Sequence, residues 1–223
     1  MTFLEYPDRE MLMMALADAI ASELRQALDL GDRATLSVPG GTTPGPVFDI
    51  LSALDLDWDR VSVLLNDERW VPEDSPRSNT RLLRERLLRN RAAAARLVPL
   101  YAPADTPEAV MAELTRGVEA ALPITVLLLG MGADMHTASL FPGADHLAEA
   151  LADDAPPLMA LRAEAAGEPR ITLTAPVLRD AMHCHILITG GEKRDALERA
   201  ETLPELQAPV RCVLKNATIH WAP

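Results

Sequence analysis

Residues 124–130 of the chain are Ile124-Thr125-Val126-Leu127-Leu128-Leu129-Gly130, a near-continuous apolar run that ends at a glycine. A strand with one face in water alternates apolar and polar residues, whereas a strand covered on both faces is apolar almost throughout. The run therefore predicts a central strand in a sheet that is covered on both faces.

Apolar runs and amphipathic segments alternate on either side of this strand. Further strands are predicted at 34–38, 61–65, 185–191 and 210–214, with residues 217–221 closing the sheet after the last of them. Helices are predicted at 10–30, 44–54, 80–91, 107–121 and 193–200, and the irregular segment 144–168 is interpreted as surface helix and loop. The alternation predicts an α/β fold with a mainly parallel sheet flanked by helices on both faces. Ligands bind such sheets beyond the carboxyl ends of the strands.

Length and composition limit the classes of function. A chain of 223 residues with 48% hydrophobic content is expected to form a single α/β domain over residues 1–223. Its net charge of −12 disfavours nucleic acid and anionic membranes as partners, since both would repel it. Two cysteines, Cys184 and Cys212, are too few for a disulfide framework and fit a reducing cytoplasm. We expect neither a signal peptide nor a membrane span.

The first polar loop follows the strand at 34–38 and contains Gly40, Gly41, Thr42 and Thr43. Glycines allow backbone amides to approach an anion, and threonine hydroxyls add donors, so the loop suits a phosphate group. An ordinary tight turn with a capping threonine would have the same sequence.

The second loop follows the strand at 61–65 and carries Asp67, Glu68 and Arg69 where the ligand cleft is expected. A solvated charge cluster is the alternative interpretation. Just beyond it, Ser78 and Asn79 precede a helix, where they serve either as a capping pair or as substrate contacts.

The third loop follows the central strand and contains Asp134 and His136 among glycines. Histidine titrates near neutrality and so suits a general base, and a carboxylate two residues away can orient its ring. The other histidines are interpreted as structural: His146, His183, His185 and His220. A metal site at the His183 and His185 pair would need a third ligand, which the sequence does not identify.

The fourth cluster joins Arg170 with Lys193, each near glycines or hydroxyl residues. Two cations at one site would complete a phosphate cradle, whereas cations on a solvated face are the commoner case.

Five motifs in this order resemble one known family: Pro39 to Pro44 (PGGTTP), Asn66 to Pro72 (NDERWVP), Gly130 to Gly143 (GMGADMHTASLFPG), Arg170 to Thr174 (RITLT) and Thr189 to Leu197 (TGGEKRDAL). The chain is similar to the 6-phosphogluconolactonase family over nearly its whole length. The resemblance implies the sheet shared by sugar-phosphate isomerases and deaminases. It also implies hydrolysis of 6-phosphogluconolactone, a small-molecule sugar-phosphate lactone, with no cofactor and no metal. The sequence does not distinguish between the pentose phosphate and the Entner-Doudoroff route for the product, or between a monomer and a dimer.

The resemblance also assigns roles to residues of this chain. His136 would activate water, with Asp134 orienting it and with Asp67 and Arg69 beside the reacting carbonyl. The substrate and phosphate contacts would be Gly40, Gly41, Thr42, Thr43, Asn79, Arg170 and Lys193.

One position departs from the family motif, which has glycine between the aspartate and the histidine. This chain has Met135 there. Because methionine adopts positive φ reluctantly, either the backbone at Met135 is ordinary or the loop is altered and aims His136 differently.

Two other functions remain open. The chain also resembles the related glucosamine-6-phosphate deaminases in these loops. In the deaminases, however, a glutamate that assists ring opening follows the histidine. Here the corresponding stretch, residues 138–142, is Ala-Ser-Leu-Phe-Pro and has no acid. A sugar-phosphate sensor of a transcriptional regulator would need a DNA-binding segment, for which the chain has no room, and a less acidic surface.

Overall fold

The computed structural model describes residues 1–223. The strands are β1 (Thr2–Glu5), β2 (Ala34–Val38), β3 (Val61–Leu65), β4 (Asp67–Arg69), β5 (Arg96–Val98), β6 (Val126–Gly130), β7 (Leu158–Leu161), β8 (Arg170–Leu173), β9 (His183–Thr189) and β10 (Ala217–Ala222). The α-helices are α1 (Arg9–Leu30), α2 (Gly45–Ala53), α3 (Asn79–Arg86), α4 (Met111–Glu119), α5 (Leu147–Leu151), α6 (Ala175–Arg179), α7 (Gly191–Ala200) and α8 (Arg211–Leu214).

The larger sheet has seven strands in the order β1-β10-β9-β6-β2-β3-β5, and every neighbouring pair is parallel. Strand β6 is the middle strand, and its residues 126–129 are buried. The predictions of a mainly parallel α/β sheet and of this central strand are confirmed.

Helix α1 shows how the sequence attaches helices to the sheet. Leu12, Leu16, Ile20 and Leu24 recur every fourth residue, which puts them on one face, and all are fully buried. The Asp8 side chain accepts a hydrogen bond from the Met11 amide at 2.8 Å and so caps the first turn. The helix packs within a hydrophobic cluster of 60 buried residues that includes β2, β6, β9 and β10.

A second, three-stranded antiparallel sheet in the order β4-β8-β7 was not predicted. Strand β7 lies inside the segment interpreted as surface helix and loop, so that interpretation was wrong for residues 158–161. Asp67 of β4 pairs with Thr172 of β8, and Arg69 pairs with Arg170. This small sheet therefore brings two distant predicted site segments side by side.

Several predicted boundaries also need correction. The run at 210–214 is mainly helix α8 and not a strand, because a short apolar run looks the same in a buried helix. The helix predicted at 80–91 ends at Arg86, and the one at 107–121 consists of a 3₁₀ turn at Pro107–Val110 followed by α4. The edge strands β1 and β5 were not predicted.

None of the helices combines the length and apolarity needed to cross a membrane.

Candidate active site

A cleft of about 240 Å³ opens beyond the carboxyl ends of β2, β6 and β9, with β4 and β8 contributing one wall. Nine of the predicted site residues line it: Gly40, Gly41, Thr43, Asp67, Arg69, Asn79, His136, Arg170 and Lys193. Asp134 is outside the lining and contacts His136. Thr42 is exposed and borders a neighbouring groove that also includes Arg9 and Met14.

Asp134 and His136 form a hydrogen-bonded pair on the loop after β6. The Oδ1 atom of Asp134 lies 2.6 Å from Nδ1 of His136 and also accepts from the His136 backbone amide at 3.2 Å. Partial burial opposes ionisation of Asp134, but the hydrogen bond and the charge of the His136 ring outweigh it, and its pKa is lowered. An ionised Asp134 holds the proton on Nδ1, which leaves Nε2 as the nitrogen free to accept one.

The loop closes tightly around this pair. Gly132 donates its amide to the His136 carbonyl and accepts from the Met135 amide, both at 2.9 Å. A Cβ atom at Gly132 would lie 2.1 Å from His136 Nδ1 and 2.3 Å from Asp134 Oδ1, so only glycine fits there. Glycine at this position thus leaves room for the pair itself.

Met135 has a φ of 66°, a left-handed conformation that methionine rarely adopts. The alternative of an ordinary backbone at this position was therefore wrong. The carbonyl of Met135 accepts from the Val210 amide at 3.1 Å, and its side chain packs against the core. These contacts hold the residue in a conformation that glycine adopts without strain.

Two arginines from neighbouring strands line the cleft, and one of them lies near a carboxylate. Arg69 and Arg170 are partners in the β4–β8 register, and Arg170 Nη1 lies 3.5 Å from Asp67 Oδ2. Burial lowers the pKa of Arg170, while the charge of Asp67 opposes this shift. The Nε atoms of both arginines are buried without a hydrogen-bond partner. Two guanidinium groups with unpaired Nε atoms suit an anionic ligand in an otherwise acidic protein.

Glu68 is a site residue whose role the sequence did not reveal. It is fully buried, and its carboxylate accepts from the amides of Arg69, Asn79 and Thr80 at 2.7–2.8 Å. A carboxylate at a helix N-terminus is stabilised by the free amides of the first turn. Glu68 therefore joins the segment that carries Arg69 to the start of α3. The helix predicted shortly after Glu68 was the sequence feature that could have indicated this role.

Asn79 packs between the glycine loop and Asp67. Its Nδ2 donates to the Asp67 carbonyl at 3.0 Å, and a Cβ atom on Gly40 would lie 2.0 Å from its Oδ1. Ser78 caps α3 by accepting from the Arg81 amide at 3.2 Å. The two interpretations of this pair thus divide between its members: Ser78 is the cap, and Asn79 lines the cleft.

Lys193 lies in the first turn of α7 and reaches the loop that carries His136. Its Nζ donates to the Met131 carbonyl at 2.6 Å. The lysine and the amides of the first turn both contribute positive charge at this side of the cleft.

The remaining histidines do not line the cleft. Three of them, His183, His185 and His220, lie near one another. Tyr6 Oη, His220, His185 and Glu23 form a chain of hydrogen bonds of 2.8–3.0 Å between α1 and the sheet. Burial, with the nearby His185, lowers the pKa of His220 to about 4. His183 also contacts Glu23, at 3.3 Å, but no group of three or more His, Cys, Asp or Glu side chains is arranged to hold a metal ion.

Comparison with known families gives a full-length match. Residues 7–221 match a family model described as glucosamine-6-phosphate isomerases/6-phosphogluconolactonase. The chain is 44% identical over 220 residues to a protein named 6-phosphogluconolactonase from Rhizobium meliloti (strain 1021), and the match covers 95% of this chain and 94% of that protein.

Solved structures give the same fold. A crystal structure of a 6-phosphogluconolactonase from Shewanella baltica OS155 superposes with a TM-score of 0.96 at 34% identity, covering 100% of this chain and 97% of that one. A monomeric glucosamine-6-phosphate deaminase superposes with a TM-score of 0.80 over 100% of this chain and 97% of its own. At 16% identity, the deaminase shows a shared fold and nothing further.

Proposed function

Since the chain belongs to the family of glucosamine-6-phosphate isomerases and 6-phosphogluconolactonases, we propose that it hydrolyses 6-phospho-D-glucono-1,5-lactone to 6-phospho-D-gluconate. The observation that carries this proposal is the Asp134–His136 pair, whose histidine lines one cleft together with Arg69 and Arg170. A base can activate the attacking water, and a positive group can stabilise the carbonyl oxygen as it gains charge, so the two together suit ester hydrolysis at neutral pH.

His136 is the proposed general base. Its Nε2 takes a proton from a water molecule as the water oxygen attacks the lactone carbonyl at C1. The resulting imidazolium is stabilised by Asp134, 2.6 Å from Nδ1. When the ring C–O bond breaks, the same proton passes from Nε2 to the departing ring oxygen, which becomes a hydroxyl group. One water is consumed, and one carboxylic acid is formed.

Arg69 is the proposed partner of the carbonyl oxygen, which gains negative charge as water adds. Its Nη1 is held by the Arg77 carbonyl at 2.6 Å, so the guanidinium is already oriented before substrate arrives. Asp67 is the second residue proposed to lie beside the carbonyl, and its Oδ2 accepts from Ser139 Oγ at 2.5 Å and lies 3.5 Å from Arg170 Nη1.

The phosphate group is proposed to bind Lys193, Arg170 and the loop of Gly40, Gly41 and Thr43. Thr42 is left out of this set, because it lines the neighbouring groove and, unlike Thr43, does not line the cleft. Binding the phosphate at C6 holds C1 against His136, so remote binding energy becomes orientation at the reacting bond. In this scheme the arginines and the imidazole carry out every step, and no cofactor takes part.

The test is an assay at controlled pH with freshly generated 6-phosphoglucono-1,5-lactone, corrected for spontaneous hydrolysis, beside a parallel assay with glucosamine 6-phosphate. The proposal expects catalysed release of acid from the lactone and no ammonia from the amino sugar. Ammonia release alone would make the chain a deaminase. Binding of both compounds without turnover would make it a sensor.

A further inference from the structure

Phe141 is a buried aromatic residue that takes no part in the hydrophobic core. Its exposed fraction is 7%, yet it is absent from the 60-residue cluster that contains almost every other buried apolar side chain. Its ring stacks on that of His136, with centroids 4.2 Å apart and planes 29° apart. The guanidinium carbon of Arg170 lies 5.5 Å from the same ring centroid.

We propose that Phe141 is a positioning residue for lactone hydrolysis: its ring fixes the His136 imidazole against Asp134 and stabilises the imidazolium that forms. The proposal rests on the function proposed above. Phe141 acts through His136 and does not itself line the cleft.

The need for such a residue comes from the charges around the loop. Lys193 and Arg199 of α7 bind the carbonyls of Met131 and Ala133, at 2.6 and 3.4 Å, and Arg170 approaches from β8. Asp134 is the carboxylate in contact with the imidazole. When His136 accepts a proton, it becomes one more cation in this group, and repulsion from the others opposes the step.

The aromatic ring of Phe141 favours the protonated His136 in two ways. Its quadrupole attracts a cation held against it, so the stacked imidazolium is favoured over one facing an aliphatic side chain. Its bulk also restricts rotation of the imidazole, since the two rings are stacked with their centroids 4.2 Å apart. An aliphatic residue fills part of the space of the ring without the quadrupole.

The decisive variant is Phe141→Leu, with Phe48→Leu as its matched control. Phe48 of α2 is fully buried in the core, so the same change there weakens packing without touching the site. Phe141→Tyr keeps the ring and is the conservative rescue. All three are compared with the parent by kcat, KM and the pH profile of kcat/KM, per mole of folded protein.

For Phe141→Leu we expect kcat to fall roughly tenfold with KM changed less than about twofold, because orientation is lost while substrate contacts remain. The acidic limb of the kcat/KM profile should move to lower pH by about half a unit, since the imidazolium loses its aromatic partner. Phe141→Tyr should restore both, and Phe48→Leu should alter neither.

A second measurement does not depend on turnover. In the parent protein, NMR should show the His136 ring protons displaced by the ring current of Phe141, and Phe141→Leu should abolish that displacement. Unchanged His136 shifts, or a Phe141→Leu profile equal to that of the parent or of Phe48→Leu, would overturn the proposal. If the shifts respond but the parent does not hydrolyse the lactone, the proposed function fails and the stacking contact stands.

Discussion

Gly132→Ala tests the geometry of the Asp134–His136 pair with a single methyl group. The new Cβ would lie 2.1 Å from His136 Nδ1 and 2.3 Å from Asp134 Oδ1. Ordinary contact begins at 3.4 Å, so the imidazole must move by about 1.3 Å and the carboxylate by about 1.1 Å. Because the methyl group clashes with both atoms at once, both must move, and the 2.6 Å hydrogen bond loses its geometry.

The size of the effect follows from that displacement. A shift of about 1 Å at a catalytic group lowers the rate by roughly 10²-fold, and loss of the carboxylate that orients a histidine lowers kcat by up to about 10⁴-fold. We therefore expect Gly132→Ala to lower kcat for lactone hydrolysis by at least about 100-fold. KM should change much less, because the phosphate contacts are untouched.

The assay is continuous acid release at controlled pH, with circular dichroism to confirm folding. Gly117→Ala is the control: Gly117 lies inside α4, and its new Cβ would meet Val98 at 3.8 Å, an ordinary contact. Alanine is the better helix former, so this variant should keep the parental kcat and gain about 1 kcal/mol at most. A folded Gly132→Ala enzyme with kcat within threefold of the parent would refute the reasoning.

Three further predictions concern single residues. Met135→Gly should be more stable to urea than Met135→Ala by roughly 1 kcal/mol, because only glycine adopts the φ of 66° without strain; the reverse order would contradict a left-handed Met135. Lys193→Met should lower kcat/KM for the phosphorylated lactone by about 10- to 100-fold while leaving unphosphorylated gluconolactone unaffected, and an equal loss on both substrates would remove Lys193 from the phosphate site. Buried His220 has a pKa of about 4 in the folded protein, below the 6.5 of a free histidine, so the unfolded state binds more protons between these values. The free energy of unfolding should therefore fall by about 3 kcal/mol as pH drops from 7 to 4, and His220→Gln should lose this part of the slope.

The parallel sheet was predictable because its inner strands are buried on both faces. Residues 124–130 form a near-continuous apolar run, and the strand that this run predicted is the middle strand β6. The position of the cleft followed from the same fact, since loops at the carboxyl ends of parallel strands meet at one edge. His136, Arg69 and Lys193 line one cleft for this reason, although their roles stay predictions.

The small sheet was not predictable from local pattern. Strand β4 is Asp67–Arg69, three charged residues that indicate a loop and form a strand only because β8 pairs with them. Glu68 was hidden for a related reason: a carboxylate among charges suggests a solvated surface, yet it is fully buried against the amides of α3. Both features depend on partners distant in sequence.

At Met135 the sequence identified the position but not its conformation. The sequence identified the unusual residue, but the backbone it adopts is set by contacts with Gly132 and Val210, which no local pattern displays. The stacking of His136 on Phe141 likewise depends on how the loop folds back on itself.

The central claim is that His136 is the base for lactone hydrolysis, and the kcat of folded His136→Ala tests it most directly. Loss of a general base lowers the rate by about 10²- to 10⁴-fold, so we expect a fall of that size, with partial recovery when imidazole is added to the assay. A folded His136→Ala protein that hydrolyses 6-phosphoglucono-1,5-lactone at the parental rate would contradict the account.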